Sequence, residues 1–134
     1  MIIYALDSNI ISYLLKGNEQ IAERIETEIS SGHEVIIPPI AYYEVKRGLL
    51  AVNSKTKMQI FLDFCNENEV GNIDMRTLNK AADIYAELKV SGIGTEDADI
   101  LIGAFCIVNN YTLVTNNIKH FSNIKDLSLI SWID

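Results

Sequence analysis

Apolar positions along the chain fall into short runs separated by longer stretches with helical spacing. Ile2, Ile3, Ala5 and Leu6 form the first run, which ends on Asp7. A short apolar run bounded by polar residues predicts a strand buried on both faces. A short helix from about Ile10 to Lys16 follows, stopped by Gly17. Glu19 to Ser30 reads as a second helix, with Ile21, Ile25 and Ile29 on one face and Glu19, Glu23, Arg24 and Glu26 on the other. Glu34 to Ile37 is a second strand, closed by Pro38-Pro39, which cannot continue a ladder. A helix opens near Pro39 and ends before Gly48, carrying Tyr42, Tyr43, Glu44, Lys46 and Arg47.

The second half continues the alternation. Ser54 to Asn68 predicts a helix with Met58, Phe61, Leu62 and Cys65 on one stripe, and Val70 to Ile73 a short strand. Arg76 to Val90 is the clearest amphipathic stretch, with Leu78, Ala81, Ala82, Tyr85 and Leu88 as its apolar stripe. After the loop Ser91-Gly92-Ile93-Gly94 comes Thr95-Glu96-Asp97-Ala98-Asp99, opening a helix to about Asn109. That helix is apolar almost all round and belongs in the centre of the fold. Thr112 to Thr115 is a strand, a turn passes through Lys119-His120-Phe121, and Leu127 to Ile130 is the last strand, with Trp132 covering an edge. Strands alternating with helices predict an α/β fold in three layers: a mostly parallel central sheet with helices on both faces and right-handed crossovers. The 134 residues suit one domain spanning 1–134, with neither repeats nor linkers.

Composition narrows the partners. Apolar residues make up 49% and charged residues 22%, an ordinary globular balance. No stretch approaches the ~18 apolar residues of a membrane span. The N-terminal run reads as part of the fold and lacks a basic region and cleavage site, so a cytoplasmic protein is expected. Cys65 and Cys106 have no metal-like spacing and are expected as buried, reduced thiols. The net charge of −7 argues against general nucleic-acid binding, which needs Lys and Arg, unless acids are gathered around cations or a basic partner completes the surface.

Four polar sites fall at element ends: Asp7, Glu44, the pair Asp97 and Asp99, and Thr115 with Asn117. In a parallel sheet, strand C-termini and the following helix N-termini share one edge, so all four can meet in one crevice. Each has a plainer reading. Asp7 suits a helix cap, Glu44 can pair with Arg47 three positions on, and Glu96 and Asp97 suit a helix dipole. Asp99 is harder to explain that way, because it leads into an apolar run. A cluster of Asp7, Glu44 and Asp99 would be costly unless a cation neutralised it. Hard oxygen ligands point to Mg²⁺ or Mn²⁺, and such an ion favours phosphodiester hydrolysis by activated water. No glycine loop for an NTP is present.

The patterns Leu6-Asp7-Ser8-Asn9, Glu44-Val-Lys-Arg-Gly48, Asp99-Ile-Leu-Ile-Gly-Ala104 and Val114-Thr-Asn-Asn117 with Phe121 together resemble the PIN-domain ribonucleases. Length and span resemble the VapC-type toxins of toxin–antitoxin pairs. The resemblance implies that Asp7, Glu44 and Asp99 bind metal, that Thr115 orients the site, and that Asn117 takes a fourth polar position. Many relatives carry Asp at that fourth position, and Asp97 is a candidate substitute. It further implies a cognate antitoxin, a homodimer, and an RNA substrate of the tRNA class. Lys46 and Arg47 are candidates for holding RNA phosphates, or else solvated helix residues. His33 and His120 read as structural or exposed. Two alternatives stand beside the endoribonuclease. A phosphatase using Asp7 as nucleophile would want an acid where Asn9 stands, and a non-catalytic RNA- or partner-binding module would not need all three acids.

Overall fold

The computed structural model describes residues 1–133. Five strands, β1 (Ile3–Leu6), β2 (Glu34–Ile37), β3 (Glu69–Val70), β4 (Thr112–Val114) and β5 (Ser128–Ile130), form one sheet, every neighbouring pair parallel, in the order β3-β2-β1-β4-β5. β1 is central because its residues are apolar on both faces. Tyr4 and Leu6 face one layer and Ala5 the other, as a two-residue repeat requires. The order reverses between β1 and β4, where Leu6 pairs with Val114, and a crevice opens at such a reversal beyond the strand C-termini.

Four helices, α1 (Ser8–Leu15), α2 (Glu19–Ser30), α3 (Pro39–Ala51) and α4 (Lys55–Glu67), cover one face, with Ile10, Ile21, Val45 and Phe61 in their core. On the other face α5 (Met75–Val90), α6 (Asp97–Asn109) and α7 (Ile118–Phe121) pack with Ile84, Ile102, Phe105 and Phe121 inside. No described helix is long and apolar enough to cross a membrane.

Several expected boundaries and faces shift. α1 begins at Ser8 rather than Ile10, because Asp7 is its N-cap and accepts from the Ser8 N–H. α3 continues through Gly48 to Ala51, since a glycine in a helix costs only about 1 kcal/mol and Leu49 behind it is buried. β3 is two residues, Glu69 and Val70, and the Lys119–Phe121 turn is the one-turn α7.

The stripe of α5 is rotated from expectation. Thr77, Ala81, Ile84 and Leu88 are buried, whereas Leu78 and Tyr85 are 45% and 51% exposed. Thr77 can go inside because Asp74 caps its N–H. Ile29 likewise lies outside the α2 core face. Cys106 is buried, but Cys65 only partly so, with burial pushing its thiol up to about 11. Trp132 is 3% exposed and packs edge-on against Tyr4, next to the central strand.

The turn after β3 is tightly held. Gly71 donates its N–H to Ile37 at 2.9 Å, and a Cβ on it would collide with the Phe105 ring. Gly71→Ala is therefore expected to destabilise by about 1–3 kcal/mol, read as a lower midpoint in urea with an unchanged slope.

Candidate active site

The crevice at the β1/β4 reversal collects the acids. Asp7 follows β1 directly, and its backbone N–H bonds the Val114 carbonyl at 2.9 Å, so the chain is still paired as it leaves the sheet. Its side chain is 4% exposed. One carboxylate oxygen accepts from the Ser8 N–H at 2.8 Å, and the other from the Thr115 hydroxyl at 2.8 Å. Burial nonetheless raises the Asp7 carboxyl above its ordinary value, outweighing those two donors and nearby His120.

Glu44 sits on α3 and Asp99 in the first turn of α6, both half-buried. Burial raises the Glu44 carboxyl, and the charges of Asp7 and, less strongly, Asp99 add to it, against the Ser8 hydroxyl and Arg47. Burial also raises Asp99, followed by the Asp7 charge, with His120 opposing. The three carboxylates thus repel one another, although they come from positions 7, 44 and 99. No ion pair among the described residues includes Asp7 or Glu44. Asp99 has His120, whose Nδ1 is 3.8 Å from its Oδ2 and whose side chain is 62% exposed.

Such a donor set, all carboxylate oxygen and mutually repelling, suits a hard divalent cation. Among the described residues no three His, Cys, Asp or Glu side chains are gathered closely enough to enclose an ion directly. The fit is therefore to a cation such as Mg²⁺, which keeps several waters and takes only one or two carboxylates.

The remaining candidates are placed as follows. Thr115 is fully buried and ties two strands of the site together. Asn117 is exposed, and its backbone N–H donates to the Thr115 hydroxyl at 3.0 Å. Asp97 is exposed at the start of α6, and its charge is not among those raising the other three acids. Lys46 donates to the Tyr42 hydroxyl at 3.1 Å and lies toward Cys65, whereas Arg47 stacks over the Tyr43 ring.

Four residues outside the expected set also build the site. Asn9 accepts the Asn116 N–H at 3.2 Å, and Asn116 donates its amide to the Tyr13 hydroxyl at 3.1 Å, pinning the loop after β4 onto α1. His120, expected to be structural or exposed, is exposed and also faces Asp99. Asparagines placed just beyond strand ends were the available signal for the first pair. For His120 and Tyr13 the sequence held none. Asn9, which occupies the position where a covalent phosphatase would carry its second acid, is spent on holding this loop.

Comparison with known proteins agrees with this architecture. A family model described as PIN domain matches residues 4–127. Ribonuclease VapC2 of Rickettsia felis is 30% identical over 132 residues, covering 97% of this chain and 98% of that protein. The crystal structure of VapBC2 from Rickettsia felis, bound to a DNA fragment from their promoter, matches with a TM-score of 0.89 at 29% identity, covering 98% of this chain and 100% of the other. VapBC-1 from nontypeable Haemophilus influenzae matches with a TM-score of 0.83 at 27% identity, over 98% of both chains. A three-layer fold with a parallel sheet, the reversal between β1 and β4 and the full-length likeness agree: the chain belongs to the PIN-domain family, among its VapC-type members.

Proposed function

We propose that this chain is an endoribonuclease dependent on Mg²⁺ or Mn²⁺, acting in the cytoplasm as the toxin of a toxin–antitoxin pair. The observation that carries the reading is the trio Asp7, Glu44 and Asp99, brought to one sheet edge, each raised by burial and two of them by the Asp7 charge. A group of acids in which neither Asp7 nor Glu44 has an ion pair among the described residues is unfavourable in itself and becomes useful when a cation joins it. Relatives named as ribonucleases and neighbours solved as VapBC complexes support the same reading.

A bound divalent ion supplies charge neutralisation at the scissile phosphate and a water of lowered pKa. The chain's own residues do the rest. Asp7, Glu44 and Asp99 would hold the ion, one or two of them directly and the rest through its waters, and the Thr115 hydroxyl and Ser8 N–H fix the Asp7 carboxylate in one orientation. Leu6 and Val114, directly before Asp7 and Thr115, and Ile10 are fully buried, so the apolar core reaches up to that pair. The substrate is RNA, with the tRNA class the leading target.

The partners follow from surfaces left open. A cavity of about 140 Å³ beside Glu44, lined by Leu15, Val45 and Leu49 together with Lys16, suits a segment of an antitoxin. The uncovered α5 face, Leu78, Ala82 and Tyr85, is suited to a second copy in a homodimer.

Induced expression followed by sequencing of RNA ends tests the function. The expected result is a small set of new, discrete ends that disappear when Asp99 is replaced by Asn. Unchanged RNA ends, with the protein folded and present without antitoxin, would refute the ribonuclease assignment.

A further inference from the structure

Beside the acid cluster, on the side of α6 and α7, lies a second cavity of about 300 Å³. It is lined by Gly94, Thr95, Glu96, Asp99, Lys119, His120 and Asn123. It shares Asp99 with the candidate metal site, so whatever enters it abuts the reacting phosphate. Its volume is at the low end for small-ligand cavities and close to that of one nucleotide.

Its chemistry differs from the cavity on the other flank. The cavity beside Glu44 is walled by Leu15, Val45 and Leu49. The one beside Asp99 has hydroxyl, amide, cationic and carboxylate walls, the last from Glu96 and Asp99, and no large aliphatic side chain. Lys119 is exposed and belongs to no ion pair among the described residues. It is the one Lys or Arg in this lining and stands beside the acid cluster with no anionic partner within ion-pair distance among the described residues. A backbone phosphate next to the scissile one would give it that partner.

Resting on the ribonuclease reading, we infer that this cavity is the subsite for the nucleotide adjoining the scissile phosphate. The Lys119 ammonium and the exposed His120 ring hold its phosphate. Thr95, Glu96 and Asn123 face its sugar and base. Glu96 can only accept hydrogen bonds when ionised, so it favours a base that offers an amino group over one that offers only a carbonyl. The acidic chain thus holds RNA through a few cations beside the metal rather than through a broad basic face.

Binding of fluorescein-labelled bulk bacterial tRNA, followed by anisotropy across a KCl series, tests this. Asp7→Asn serves as the non-cleaving background, with Lys119→Ala, Lys119→Arg and, as a remote control on α5, Lys80→Ala added to it. Lys119→Ala is expected to weaken binding roughly fivefold at low salt and to reduce the slope of log K against log [salt] by about 0.7–0.9, the loss of one phosphate contact. Lys119→Arg should restore both, and Lys80→Ala should change neither. A Lys119→Ala protein indistinguishable from Lys80→Ala would overturn the subsite. So would a weakening with an unchanged salt slope, which would mean a contact other than to phosphate. Absence of tRNA binding by the Asp7→Asn background would also overturn it. The RNA-end experiment is separate from all three outcomes, so the subsite can fail while the ribonuclease reading stands.

Discussion

Replacing Asp7 with asparagine is expected to abolish RNA cleavage and, at neutral pH without metal, to raise the thermal midpoint. Both effects come from one charge. Asparagine keeps the shape of aspartate and an oxygen for the Ser8 N–H, and the Thr115 hydroxyl can turn to accept from the new amide. What is lost is an anion held 4% exposed, with no cationic partner within ion-pair distance among the described residues. Removing it takes away desolvation cost and relieves the repulsion on Glu44 and Asp99. It also removes the best-oriented ligand for a divalent ion. Several kcal/mol of transition-state stabilisation lost with the ion correspond to a rate drop of at least about a thousandfold. Circular dichroism and a melting curve in EDTA check the fold, and end-labelled RNA checks the activity. Undiminished cleavage by the folded variant would remove Asp7 from the chemistry.

The second large effect is the joint dependence of stability on pH and metal. Asp7, Glu44 and Asp99 all have folded carboxyl values above the ordinary 3.8 and 4.5. For an acid raised on folding, the native state holds its proton more tightly than the unfolded chain does. Its contribution to stability is fully present below the ordinary carboxylate value and is lost as pH rises through the folded value. The metal-free protein should therefore lose the contribution of these three acids as pH rises above the ordinary carboxylate range, and Asp7→Asn should flatten that decline.

Metal acts in the opposite direction. At neutral pH the charged acids bind Mg²⁺ or Mn²⁺, and an ion at a hundred times its dissociation constant adds about 2.7 kcal/mol. Below the ordinary carboxylate range the same ion should add little, because the ligands hold protons. Melting curves at two pH values, with EDTA or with Mn²⁺, measure both effects. Equal metal stabilisation of wild type and of Asp7→Asn would place the ion elsewhere.

The sequence disclosed the sheet and the acids more readily than it disclosed helix faces and second partners. The limits of α2 and β2 were readable because asparagine, glycine and proline punctuate them and the apolar spacing inside is regular. α5 misled because it carries two apolar stripes. Leu78, Ala82 and Tyr85 compete with Ala81, Ile84 and Leu88, and only a buried, capped threonine decides which set turns inward. Spacing along a helix cannot reveal a cap that makes a hydroxyl cheap to bury. Asp7, Glu44 and Asp99 could be singled out because they recur at element ends that a parallel sheet brings to one edge, although Asp7 also caps α1. The Asn9–Asn116–Tyr13 link could not, since its meaning lies in a contact across more than a hundred positions. His120 was hidden for the same reason. Nothing in its neighbours along the chain shows that α7 swings it toward the start of α6.

That long-distance closure has a consequence for synthesis. The hydroxyl that orients Asp7 is 108 positions further along the chain, just after a strand that pairs directly with β1. A ribosome must release almost the entire polypeptide before that contact can form. On the proposed function, prematurely ended copies stopping short of Thr115 lack the hydroxyl that orients Asp7 and are expected to leave RNA uncut.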